Sequence, residues 1–376
     1  MSILNVRRTP CWSQMMAATI VGCTGLSAQA QPLDLPLSIW ERLYTVRAGV
    51  GYKDNVALSH TDTEDSGFFA SGLEFFALRL PEDGTELSCF VSADDRRYFS
   101  ASSVDGEQLM FAQGQVKHVF GAVGEMAFDL QYAYQDQIQD VSVTETNQQA
   151  IRVRGHTLAA HLSVRLNFPE RYWAGLDIIP TRQWLADPLD HYFEFGPRVS
   201  FGRDYGYLSE VSLRYEPRYR RYDTDPQLTT EGEPMPDTLR AFGQQEVALG
   251  WRHHWDPERH WRTSARVGYL LNTDNGSGYF DYTRVSGSVQ VRYRRKTWEG
   301  SIDARVSGYD YAVQTVSATN SEKRNRTEFA FGVRAERQLT HSLRLVGAFE
   351  HGHTSSNVTI ESYTVNTFTG TLQWEF

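Results

Sequence analysis

The chain has 376 residues and a net charge of −9; 40% of it is hydrophobic and 13% aromatic. No run approaches the ~20 consecutive apolar residues of a membrane-spanning helix, which excludes a helical membrane protein. An acidic chain without basic tracts also excludes nucleic acid as a partner.

At the N-terminus, Arg7 and Arg8 precede a weakly apolar run (15–26) and then Ser27-Ala28-Gln29-Ala30. That is the order of a basic region, an apolar region and an A-x-A cleavage site. Residues 1–30 are therefore expected to be a signal peptide for Sec-type export. Residues 31–376 are left as one domain, with a periplasmic lead at 31–41. Ile20-Val21-Gly22-Cys23 also fits a lipobox, so acylation of Cys23 is the rival processing. Without Arg7 and Arg8, 35 basic residues face 46 acidic ones, a net charge of −11. Beyond the expected signal only Cys89 remains, read as a small apolar residue on an outward face.

The first alternating run is Tyr44, Val46, Ala48, Val50 and Tyr52, and runs of period two then follow one another to the end of the chain. The joints between them come in two kinds. Short ones, rich in Gly, Pro, Asp and Asn, lie at 81–85, 121–124, 167–170, 203–206, 255–259, 294–297 and 339–342. Longer polar ones alternate with them at 53–65, 102–106, 138–148, 185–190, 223–238, 273–278, 314–323 and 354–362. A soluble sandwich has no reason to segregate its loops by length. The alternation predicts an all-β, transmembrane antiparallel barrel of about 16 strands (14 to 18), with both termini periplasmic.

One parity of each run is apolar, as in Met126, Phe128, Leu130, Tyr132 and Tyr134, or Leu158, Ala160, Leu162, Val164 and Leu166. Aromatics near run ends (Tyr172, Phe193, Trp251, Trp261, Trp298) suit interface girdles. Only the run from Gly67 to Leu80 is ambiguous, because both parities carry Phe. The opposite parity is charged. Arg198, Arg214, Arg252, Arg262, Arg266, Arg284 and Arg292, with Glu210 and Glu246, are the expected lumen-lining residues that set selectivity. The alternative is that each Arg is neutralised by a nearby Glu and only holds strands in register. A water-filled barrel tolerates such ions; a soluble core does not. The longest joint, 223–238, is the expected constriction.

The final ten residues, TFTGTLQWEF, alternate to the end. Phe376, Trp374 and Leu372 form the expected assembly signal, closing the barrel against the strand near Tyr44. His351 and His353 share a parity, and His253, His254 and His260 flank a short joint. No further ligand accompanies either set, so no metal and no cofactor are expected. No Gly-x-Ser-x-Gly elbow or spaced Ser/His/acid set is present, and the chain is not expected to be an enzyme.

Gly51-Tyr52-Lys53-Asp54-Asn55-Val56 resembles the strand-loop opening of β-barrel porins of Gram-negative bacteria. Lys53 stands where that pattern has an acid. With the terminal Phe, the resemblance implies a cell outer-membrane location. It implies a passive channel for small hydrophilic solutes or, alternatively, a structural or export-linked barrel serving a polysaccharide or protein secretion system. The partners it implies are outer-membrane lipid and lipopolysaccharide, the barrel assembly machinery and, as in many porins, a homotrimer.

Overall fold

The computed structural model describes residues 40–144, 150–317 and 319–376. The expected signal peptide and residues 31–39 of the lead lie outside them. The described residues form 16 strands. The first are β1 (Trp40–Lys53), β2 (Ser66–Glu82), β3 (Thr85–Tyr98), β4 (Gly106–Val119) and β5 (Gly124–Asp140). Next come β6 (Ala150–Asn167), β7 (Tyr172–Leu185), β8 (Tyr192–Tyr205), β9 (Ser209–Tyr222), β10 (Ala241–His254) and β11 (Trp261–Asp274). The last are β12 (Tyr282–Arg295), β13 (Trp298–Ser317), β14 (Asn320–Gln338), β15 (Leu343–Ser356) and β16 (Tyr363–Glu375).

Each strand pairs antiparallel with its chain neighbours, and β16 pairs with β1 to close the barrel. Closure removes every open sheet edge, the condition for strands to lie in an apolar medium. At the seam Val46 faces Trp374, Ala48 faces Leu372 and Tyr52 faces Phe368. The amide of Phe376 donates to Tyr44 O at 2.9 Å and that of Tyr44 to Phe376 O at 3.3 Å.

Short turns gather at one end of the barrel, the turn end. The other connections form the loop end: L1 (54–65), L2 (99–105), L3 (described over 141–144), L4 (186–191), L5 (223–240), L6 (275–281), a tight join after Ser317 (L7) and L8 (357–362). The expected loop 314–323 is a correction. β13 and β14 run through it as the longest strands, 20 and 19 residues, with a register shift between Asp310 and Thr315. Above the barrel both faces of this hairpin meet water, so QTVSATNSEK carries no apolar alternation from which a strand can be read.

The apolar parity faces outward on every strand, and much of it is open: Val50 is 59% exposed, Leu73 58% and Val267 60%. A belt of this kind is stable only against lipid. Cys89 lies on this face. β2 resolves into Phe69, Leu73 and Phe75 outward and Phe68 and Phe76 inward, by register with Val50, Val46 and Tyr44 on one side and Gly51 and Leu43 on the other. Buried apolar clusters are confined to the loop end. One is Leu270, Tyr282, Tyr309 and Tyr311; the other is Tyr222, Phe242 and Phe280.

Candidate functional site: the barrel lumen

Because side chains alternate, each Arg opposite an outward Val or Leu points into the barrel. All nine expected lumen residues do so, on the wall made by β8–β12. There Arg198, Glu246, Arg266 and Arg284 join a chain of ion pairs that begins on β5. His161 bridges Asp129 and Asp177, each at 3.0 Å, and Asp177 meets Arg198 at 3.7 Å. Arg198 donates to Glu216 at 2.7 Å, and Arg218 lies 3.5 Å from Glu216 and 3.4 Å from Glu246. Glu246 also takes Arg266 and, at 3.6 Å, Arg284. Nearer the turn end Arg252 pairs with Glu210 at 3.1 Å, and Glu299 takes both Arg292 and Arg294.

The ladder is thus largely neutralised, the alternative the sequence left open. Buried guanidinium groups such as Arg198 are tolerated because carboxylates surround them. Two residues depart from this. Among the described residues, neither Arg214 nor Arg262 forms an ion pair, and Arg262 donates only to Gln290 Oε1, at 3.3 Å.

The constriction is not where the longest joint suggested. L5 folds as a small hairpin, bridged Leu228 to Pro234, over the L6 residue Tyr279 and the rim cluster. It is residues 141–144, the described part of L3, that reach into the lumen. Arg326, almost opposite β5 in the strand order, pairs with Asp140 at 2.6 Å and with Ser142 Oγ. Arg324 Nη2 donates to Ser142 O at 2.7 Å, and Arg240 Nη1 on the L5 side donates to Thr144 O at 3.2 Å. Val143 packs on the Leu270, Tyr282, Tyr309 and Tyr311 cluster. The anchors are themselves held: Arg324 by Glu361 at 2.9 Å and the Tyr311 ring, Arg240 by Asp225 and the Tyr222 ring. Sequence reading missed L3 because 141–144 is short and plain. The available signal was Arg324 and Arg326, two cations of one parity beside a polar hairpin.

The opening stretch has a structural account. Gly51 leaves room for Phe68, whose ring a Cβ at 51 would meet at 2.3 Å. Lys53 points inward to Glu107 at 3.1 Å. Asp54 accepts from the amide and side chain of Asn366, both at 2.6 Å, which fastens L1 to the last strand. Glu64 ties L1 to L2. It accepts from the Ser103 hydroxyl and the Ser102 amide, and these bonds bring its pKa down to about 2. The wall facing the ladder is different in kind, with Phe76, Phe90 and Phe111 beside Gln113 and Gln131.

The histidines do not converge. His351 and His353 face outward and bond Asn366 and Thr364 at 2.8 and 2.9 Å. Asp256, Glu258 and His260 lie within 4.8 Å of one another at a turn. Asp256 is already engaged there by the amides of His260 and Trp261.

No family model and no curated protein matches the chain. Solved structures do. The outer membrane channel DcaP of Acinetobacter baumannii matches with a TM-score of 0.50 and 10% identity over 90% of this chain and 97% of that one. In fold, the chain is a porin-like β-barrel. OccAB1 of Acinetobacter baumannii matches at TM-score 0.47 and 11% identity, over 90% of this chain and 96% of that one. The anion-selective porin from Comamonas acidovorans matches at 0.44 and 10%, over 90% and 99%. These two add nothing to the assignment. The strand number of this porin-like barrel, its closure and its joints other than 314–323 agree with the alternation in the sequence.

Proposed function

We propose that the chain is an integral outer-membrane channel through which small hydrophilic solutes diffuse passively. The turn end and both termini then lie in the periplasm and the loop end outside. The observation that carries this is a lumen lined by ionised side chains, some of them partly open to solvent (Arg266 34%, Arg305 40%), inside a 16-strand wall. Such a barrel is wide enough to hold water. L3 narrows the bore, which favours small solutes over a polymer, and so favours a channel over an export conduit. The apolar belt would contact lipid and lipopolysaccharide, and Phe376, Trp374 and Leu372 would be read by the assembly machinery. Charge preference should rest on Arg214 and Arg262, which no carboxylate contacts directly among the described residues.

Purified protein in planar bilayers tests this. Ohmic channels that prefer anions are expected, and a closed barrel would refute the reading. Replacing both Arg214 and Arg262 by Gln should lower the anion-to-cation permeability ratio by roughly twofold or more, since an unscreened charge at a few Å is worth about 1 kcal/mol even in water.

A further inference from the structure

At the turn end of the ladder the register sets basic side chains side by side, two of them guanidinium groups. His254 faces Arg262 across β10 and β11, and Arg262 faces Arg292 across β11 and β12. Arg252 stands two residues from His254 on β10. Like charges directly opposite each other in a sheet destabilise it unless something neutralises them. The local acids are already taken: Glu210 pairs with Arg252, and Glu299 is shared by Arg292 and Arg294. Arg262 is left with one neutral partner at 3.3 Å. The Nε atoms of Arg252 and Arg262 are both buried with no hydrogen-bond partner among the described residues. Buried donors of this kind are rarely left unmet. Arg214, also without an ion pair, has the uncharged Ser200 and Ala248 directly across from it, not a second guanidinium.

We infer that Arg262, flanked by Arg252 and Arg292, forms a subsite for one oxyanion group, a phosphate or a carboxylate, of a solute passing through the lumen. A guanidinium presents its N–H groups as a planar fork, which suits either group, and a bound oxyanion would meet the unpartnered donors and offset the adjacent charges. This rests on the reading of the lumen as a solute path, but the site can be measured without conductance.

The experiment is calorimetric titration of the full-length folded protein in detergent with inorganic phosphate, and separately with acetate, at constant ionic strength in chloride. Saturable binding of either anion to the unaltered protein supports the subsite. Arg262→Gln should weaken it at least tenfold, while Arg79→Gln, on the outward face near the turn end, should leave it within twofold. Arg262→Lys keeps the charge without the fork, stands in if Arg262→Gln does not fold, and should weaken binding by an intermediate factor. Absence of saturable binding of both anions, or equal binding by the Arg262 variants, overturns the proposal. Binding in a protein that fails to conduct would uphold the subsite and sink the channel; conduction without binding would do the reverse.

Discussion

Gly51 and Gly114 lie on opposite faces of the same wall and differ in what a methyl group would meet. A Cβ at Gly51 would strike the Phe68 ring at 2.3 Å and the Phe368 carbonyl at 2.4 Å, whereas at Gly114 nothing lies within 4 Å. Overpacking typically costs about 1–3 kcal/mol. Gly51→Ala should therefore lower stability by about that amount, and Gly114→Ala should stay within about 0.5 kcal/mol, as unencumbered surface changes do. Denaturant titration of the folded protein in detergent, followed by tryptophan fluorescence, checks both. At this scale the sequence revealed facing but not pairing. Arg262 and Arg266 share a parity and read alike. Only the register shows that Arg266 reaches Glu246 while Arg262 meets Arg292 and Gln290. Which cations stay uncompensated depends on the stagger between strands, and no single-strand pattern encodes that.

Among the elements, strands were legible because lipid on one side and water on the other impose a two-residue period. Where that contrast ends, legibility ends with it. The tip of the β13–β14 hairpin reads as a loop, and 138–148 reads as one more polar loop with no sign of its inward course, because each has water or protein on both faces. The loops hold one another by charge, and this gives a pH dependence with a definite sign. The depressed pKa of Glu64 means that its clamp on Ser102 and Ser103 contributes fully above the ordinary carboxylate range, near ~4.3. It is lost as pH falls through about 2. Hydrogen-exchange protection of the Ser102 and Ser103 amides, corrected for the intrinsic pH effect, should hold at neutral pH and fall between those limits. In Glu64→Gln it should already be reduced at pH 7. Unchanged protection in that variant would mean that the clamp does not hold L1 to L2.

For the molecule as a whole, closure depends on the last strand finding the first across almost the full length of the chain. Deleting Phe376 removes the residue whose backbone bonds Tyr44 in both directions and the outermost ring of the final strand. Membrane insertion of the deletion, followed by the heat-dependent shift in gel mobility of folded barrel, should drop several-fold; normal insertion would separate closure from this residue. L3 carries a consequence of a different sort. Its anchors, Arg240, Arg324 and Arg326, all follow it in the chain, and the latter two belong to the penultimate hairpin pair. Without β14 and the Arg240 end of L5 in place, the inward residues 141–144 have nothing to hold. The bore therefore narrows only once the sheet has curled far enough to bring β14 across from β5. The inner width of this barrel is thus a property of the finished ring, not of any one hairpin.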